Sequence, residues 1–144
     1  MTVEYRILFN NFAALAQAFP RAASKIVREA AVEMVADIQQ GMTSPHNGRV
    51  YTRKGREHVA SAPGEMPAVD EGELIGSLAF EAQPGSTEAV VYVTPEYAPY
   101  LETGAPNAGI EPRPFMAPAA ERAQPGFQAK LRNLEEFLRS AGTP

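Results

Sequence analysis

The residues with the means to do chemistry cluster between His46 and Glu73. Glu57, His58, Glu65 and Asp70 are the one polar set from which acid–base catalysis could be assembled, and it would work only if the four side chains converged in space. Asp70 and Glu73 also read as a carboxylate pair, but a three-residue spacing suits a helix cap, where a carboxylate accepts orphan backbone N–H bonds and opposes the helix dipole. His46 and His58 are the only 2 imidazoles, and Cys is absent. A metal site needs several convergent donors, so both read as loop histidines. Ser61, Ser77 and Ser86 lack a nucleophile-elbow context, and Gly64 and Gly72 belong to no phosphate-binding pattern. No catalytic residue, metal ligand or cofactor is expected.

A second kind of chemistry is recognition. Arg49, Arg53, Lys54 and Arg56 surround Tyr51 in a span without hydrophobic period. Such a basic loop can meet nucleic-acid phosphates, giving salt-sensitive, sequence-independent affinity, or the acidic surface of a protein neighbour. The formal net charge of -4 favours protein; a nucleic-acid-binding module using residues 49–56 is the alternative. Charge is also uneven along the chain: up to His58 there are eight basic against five acidic residues, and beyond it five against twelve. Copies with opposite halves can pair head to tail. Tyr97, Tyr100, Phe115 and Met116 are either interface anchors or core. Arg113 sits between two prolines, aimed at a carboxylate for which Glu102 is the candidate. The interface candidates are therefore Arg49, Tyr51, Arg53, Lys54, Arg56, Tyr100, Glu102, Arg113 and Phe115.

These residues need a scaffold, and 144 residues suffice for one domain, 1–144. The apolar fraction of 44% and charged fraction of 21% are those of a globular chain. No apolar run is long enough to cross a bilayer, and the first ten residues do not read as a signal peptide. With no cysteine, folding in the cytoplasm is the expectation. Val3, Tyr5, Ile7 and Phe9 alternate as a strand, and Asn10 or Asn11 can cap a helix bearing Phe12, Leu15 and Phe19. Pro20 suits the first turn of a long helix, which carries Ile26, Val27, Ala30, Ala31, Met34, Val35 and Ile38 and should stop at Gly41. Residues 41–69 hold four turn signals and no period, a long projecting loop. A short helix through Leu74, Ile75 and Leu78 should open at Asp70. Strands over 78–82 and 88–94, a turn carrying Tyr97 and Tyr100, a brief helix over 115–123 and a separate amphipathic helix through Phe127, Leu131, Leu134 and Leu138, ended by Gly142, complete the order. The expected class is α+β, a small antiparallel sheet with both long helices packed on one face.

Three segments, HVASAPGEMPAVDEGELIGSL from His58 to Leu78, YAPYLETG from Tyr97 to Gly104 and PRPFMAPA from Pro112 to Ala119, resemble the minor-tail or neck protein family of long-tailed bacteriophages. In that family a proline-rich approach leads into valine-aspartate-threonine-glycine-x-leucine; here Val69-Asp70-Glu71-Gly72-Glu73-Leu74 matches it, with Glu71 in place of threonine and Ser77 following. Tyr97-Ala98-Pro99-Tyr100 with Glu102 and Gly104, and Arg113-Pro114-Phe115 with Pro118, match two further motifs, with Thr103 where an aromatic is frequent. The resemblance implies a structural virion protein of the head–tail junction that is not an enzyme. It would act as a homo-oligomeric ring, sixfold by analogy with similar connectors. Its partners would be adjacent head-completion or connector and tail-tube proteins, with DNA passing through the lumen without specific binding. It would reside in the virion, and in the host cytoplasm during assembly.

Overall fold

Pro20 fixes the start of the longest N-terminal element. In a computed structural model describing residues 3–5 and 12–141, α1 (Phe12–Ala18) is followed at once by α2 (Pro20–Thr43), with Pro20 in its first turn, where a missing N–H costs nothing. Helix α2 buries Ala23, Val27, Ala30, Ala31, Met34, Ile38 and Met42, an i, i+3, i+4 stripe that runs on to the residue after the expected stop. Gly41 does not end it. Ser44-Pro45 does, because the proline ring pushes Ser44 out of the helical region to φ -70, ψ 160. The hydroxyls of Thr43 and Ser44 turn back to the Gln39 and Gln40 carbonyls at 2.8 and 2.6 Å.

The sheet is β1 (Val3–Tyr5), β5 (Val90–Val93) and β4 (Ala79–Glu81) in that order, all antiparallel, with β5 central. Central position explains β5's continuous apolar run: Val91 and Val93 are buried and Val90 and Tyr92 half-buried. The fold is α+β as expected, with the long C-terminal helix packed against the rest. Ile7, Phe9, Asn10, Asn11 and Gly142, assigned above to a strand and to helix ends, lie outside the described residues.

Two local expectations are corrected. The C-terminal helix is single: α5 runs from Met116 to Ala141 straight through Pro125 and Gly126. Proline removes one i→i−4 bond, but Pro125, Gly126 and Glu121, whose carbonyl loses its donor, are all exposed, so water replaces the lost partner. Buried Ala123, Phe127 and Leu131 hold the helix together on its inner side. Carboxylates on α2 meet cations on α5 along the outer seam. The Lys130 ammonium bridges Glu29 at 2.9 Å and Glu33 at 3.0 Å, and the Arg122 fork grips Asp37 at 2.6 and 3.0 Å. These exposed pairs set register more than they add stability.

The short helix α3 (Glu73–Ser77) is not capped by Asp70. Gly72, at φ +85, occupies the capping position and no side chain bonds to the first turn. Where a carboxylate does cap a helix, it comes from elsewhere in the chain. Helix α4 (Ala98–Thr103) buries Glu102, 8% exposed, whose two oxygens accept the backbone N–H groups of Phe115, Met116 and Ala117 at 2.9, 3.0 and 2.9 Å. The start of α5 is thereby capped by a residue 13 positions earlier in the chain. Removing this carboxylate strands buried donors, so Glu102→Ala should lower unfolding free energy by about 2–4 kcal/mol. Urea denaturation of the two proteins checks it.

Candidate functional site

The span read above as irregular contains a β-hairpin. Strand β2 (Val50–Arg53) pairs with β3 (Arg56–Val59) through Val50↔Val59, Tyr51↔His58, Thr52↔Glu57 and Arg53↔Arg56. The two-residue turn Lys54-Gly55 has φ of 52 and 76, both positive, as a type I′ hairpin requires, and glycine adopts such angles freely. Pairing continues below the strands, where the Gly48 N–H bonds to the Ala60 carbonyl and the Ala60 N–H to that of Arg49, each at 2.9 Å. A Cβ on Gly48 would stand 2.3 Å from the Ala60 carbonyl oxygen, so only glycine lets the two chains close there.

Three carboxylates, at two places, fasten this arm to the body. At its root, Glu65 accepts the Ala62 N–H at 2.8 Å, the Asn47 side-chain amide at 2.7 Å and the Asn47 backbone N–H at 3.2 Å, with His46 Nδ1 at 3.4 Å. These donors, Ala62 foremost, hold its carboxyl down to about 2 from an ordinary 4.5. The turn Ala62-Pro63-Gly64-Glu65, with Gly64 at φ +83, brings Glu65 back under the arm, its N–H bonding to the Ala62 carbonyl at 3.0 Å. Nearer the tip, the Arg53 guanidinium pairs with Asp70 and, at 3.3 Å, with Glu71, which also takes Lys54 Nζ at 2.9 Å. The hydrogen bond and charge of Lys54, with the charge of Arg53, lower the Glu71 carboxyl.

Arg113 and Glu102 do not serve each other; the structure gives each another task. Arg113 Nε donates to the Ser61 carbonyl at 3.2 Å and its Nη1 to that of Glu111 at 3.1 Å, while its own N–H meets the Leu101 carbonyl. With Gly64 N–H on Pro112 O at 3.1 Å, this sews the strap 60–65 to the proline-rich segment. The strap then lays Met66 across α2 so closely that a Cβ on Gly41 would meet its sulfur at 2.2 Å.

Between arm and body lies a cleft of ≈ 430 Å³, lined by Tyr51, Arg53 and His58 of the hairpin and by Val69, Tyr97 and Arg113 of the body. Tyr51 meets the His58 ring edge-on at 5.0 Å. By register Tyr51, Arg53, Arg56 and His58 share the cleft face, and Val50, Thr52, Glu57 and Val59 the outer one. Desolvation pushes the Tyr97 phenol up, and its hydrogen bond with Glu73 and the charges of Glu73 and Glu71 add to the rise.

Of the residues singled out from sequence, Arg49, Tyr51, Arg53, Lys54 and Arg56 are brought together on one arm. Phe115 is fully buried in the domain's own core, whereas Tyr100 is 54% exposed on α4. Of the acid–base set, Glu57, His58 and Asp70 border one hollow beside the hairpin, with Asp70 paired to Arg53, whereas Glu65 lies apart with His46 at the arm's root. Sequence reasoning missed the clamp of Asp70 and Glu71 and the root at Glu65. The arm itself was signalled by Lys54-Gly55 between Val50-Tyr51-Thr52 and His58-Val59, a two-residue turn between β-forming residues. No family model matches the chain, nor does any curated protein or solved structure.

Because the folded Glu65 carboxyl titrates below its unfolded value, its contribution is complete above about pH 4.5 and fades as pH falls towards 2. Protection of the Gly48 and Ala60 amides, relative to their intrinsic exchange at each pH, should therefore fall across that window, and Glu65→Gln should flatten the dependence. Exposed ion pairs are screened by salt, so Arg53→Ala should speed exchange of the arm markedly at low salt and little at high salt.

Proposed function

We propose that this chain is a structural component of a phage-type head–tail junction, a neck or tail-completion protein that works as a ring of identical copies. The motifs from His58 to Ala119 suggest the class, and the arm is the observation that carries the mechanism. Arg53 and Lys54 are spent internally on Asp70 and Glu71, which fixes the arm's direction. Arg49 and Arg56 are exposed and have no ion-pair partner among the described residues. A preformed cationic arm loses little conformational entropy on docking, and repeated weak joints around a ring sum by avidity. Exposed acids beyond His58, among them Glu96, Glu111 and Glu121, supply complementary charge. The ring would sit between head-completion and tail-tube proteins, passing DNA without holding it.

Mass measurement of the purified protein, alone and with extracts of tail-less heads, tests this reading. Rings or head-bound copies are expected, and Arg49→Ala with Arg56→Ala should weaken both while leaving the monomer folded. Virions complete and infectious without the gene, or catalytic turnover by the protein, would overturn it.

A nucleic-acid reading draws on one observation: the edge-on Tyr51 and His58 pair stands among Arg53 and Arg56 on a single face. Salt-dependent retention on duplex DNA, lost in Arg56→Ala, would favour it; ring formation without DNA favours the first.

A further inference from the structure

Five asparagines stand in the chain, and Asn47 is the one that precedes a glycine. That pair has a chemistry of its own. Gly48 carries no side chain to obstruct the approach, so its backbone nitrogen can attack Cγ of the Asn47 amide. A new N–Cγ bond forms, the Cγ–Nδ2 bond breaks, and ammonia leaves with the proton that the Gly48 nitrogen gives up. Water then opens the cyclic imide at either carbonyl. One opening restores the ordinary main chain with aspartate in place of Asn47. The other leaves isoaspartate, whose main chain runs through the former side-chain methylene. Asn47 is exposed, so water reaches it.

The closed arm restrains both partners of this reaction. The nucleophile is tied up: the Gly48 N–H donates to the Ala60 carbonyl at 2.9 Å. The backbone there is also pressed against the opposite chain, since a Cβ on Gly48 would stand 2.3 Å from the Ala60 oxygen and 2.7 Å from the Ser61 backbone. The electrophile is held as well. Asn47 Nδ2 donates to Glu65 Oε1 at 2.7 Å, and the Asn47 backbone N–H to Glu65 Oε2 at 3.2 Å. An ionised Glu65 only accepts, so it has no proton to give the departing nitrogen. Opening of the root releases all of these contacts together.

Neither product fits the root that Asn47 occupied. Aspartate sets carboxylate oxygens where an amide now donates to Glu65, turning a hydrogen bond into a contact of like charge. The ionisable nitrogen at the root, His46 Nδ1, lies 3.4 Å from Glu65, while Asp37 and Arg122, bordering the same hollow, are paired with each other. Isoaspartate lengthens the main chain by a methylene just before Gly48, where the two chains close too tightly to admit a methyl group. We propose that Asn47-Gly48 is a self-modifying site at the arm's root, inert while the arm is closed and converted to aspartate and isoaspartate when it opens, after which the arm does not reseat. This goes beyond the ring reading and is independent of what the arm binds.

The test holds the purified chain at neutral pH, folded or in urea, and follows conversion by intact mass and by chromatography of the peptide containing Asn47. Folded protein should convert more than about tenfold more slowly than protein in urea, because reaction waits on local opening. Glu65→Ala should close most of that gap. A second measurement compares Asn47→Asp with Asn47→Ser, which both lose the amide donor while only the first adds charge. Asn47→Asp should lose protection of the Gly48 and Ala60 amides, Asn47→Ser should keep more of it, and the amides of α2 and α5 should stay protected in both. Should Glu65→Ala fail to fold, this pair decides alone. Equal conversion in the folded protein and in urea would sink the proposal. So would arm protection in Asn47→Asp equal to that of the unaltered chain, or conversion at Asn107 or Asn133 ahead of Asn47.

Discussion

The fold depends on one buried carboxylate. Glu102 gathers three consecutive backbone N–H groups at the start of α5, donors that a helix always leaves orphaned and that here lie inside the protein. Through them α4 is tied to α5, and Phe115 and Met116, both fully buried, are driven between α2 and the sheet. The two prolines flanking Arg113 and the third at position 118 offer few N–H groups of their own and fix φ. The approach to α5 is therefore stiff, and it can be terminated by a single acceptor. Without that acceptor the segment that cross-ties the arm's strap through Arg113 would have no fixed origin.

From that point the arm is positioned by a chain of backbone contacts rather than by apolar burial. The proline-rich segment holds the strap at Ser61 and Gly64, the strap returns Glu65 beneath the root, and the root sets the first rungs of the hairpin. Every residue from Thr52 to Glu57 is exposed, so little hydrophobic energy anchors the tip. What remains is electrostatic, and it is shared between two carboxylates and two cations in partial contact with water. The core stabilises the domain, while polar contacts decide where the arm points.

Much of this was legible from residue order because it rests on period and local steric rules. The stripe of α2, the proline at its start, the short strands on either side of Pro84-Gly85 and the overall α+β class all follow from spacing. The misses share a physical cause. Gly41, Pro125 and Asp70 follow local rules that their surroundings override: buried Met42 carries the helix past the glycine, solvent relieves the proline, and Arg53 claims the aspartate. The hairpin has no long period to mark it: Lys54-Gly55 is one turn signal among four, although Val50, Tyr51 and Thr52 favour a strand. The sequence pairs Arg113 with Glu102, and the structure does not. Their partners turned out to be main-chain groups, which sequence does not display.

Gly48 and Gly41 set the arm's bearing by what they lack. One admits the opposing carbonyl, the other admits a methionine sulfur, and neither contributes to the hydrophobic interior. A lone methyl group at Gly48 would strike the Ala60 and Ser61 backbone and tilt the arm while the interior stayed intact, whereas one at Gly41 would press only on the Met66 side chain. The orientation of a joint in such an assembly is thus separable from the solidity of its building block, and a lineage can re-aim the one without rebuilding the other.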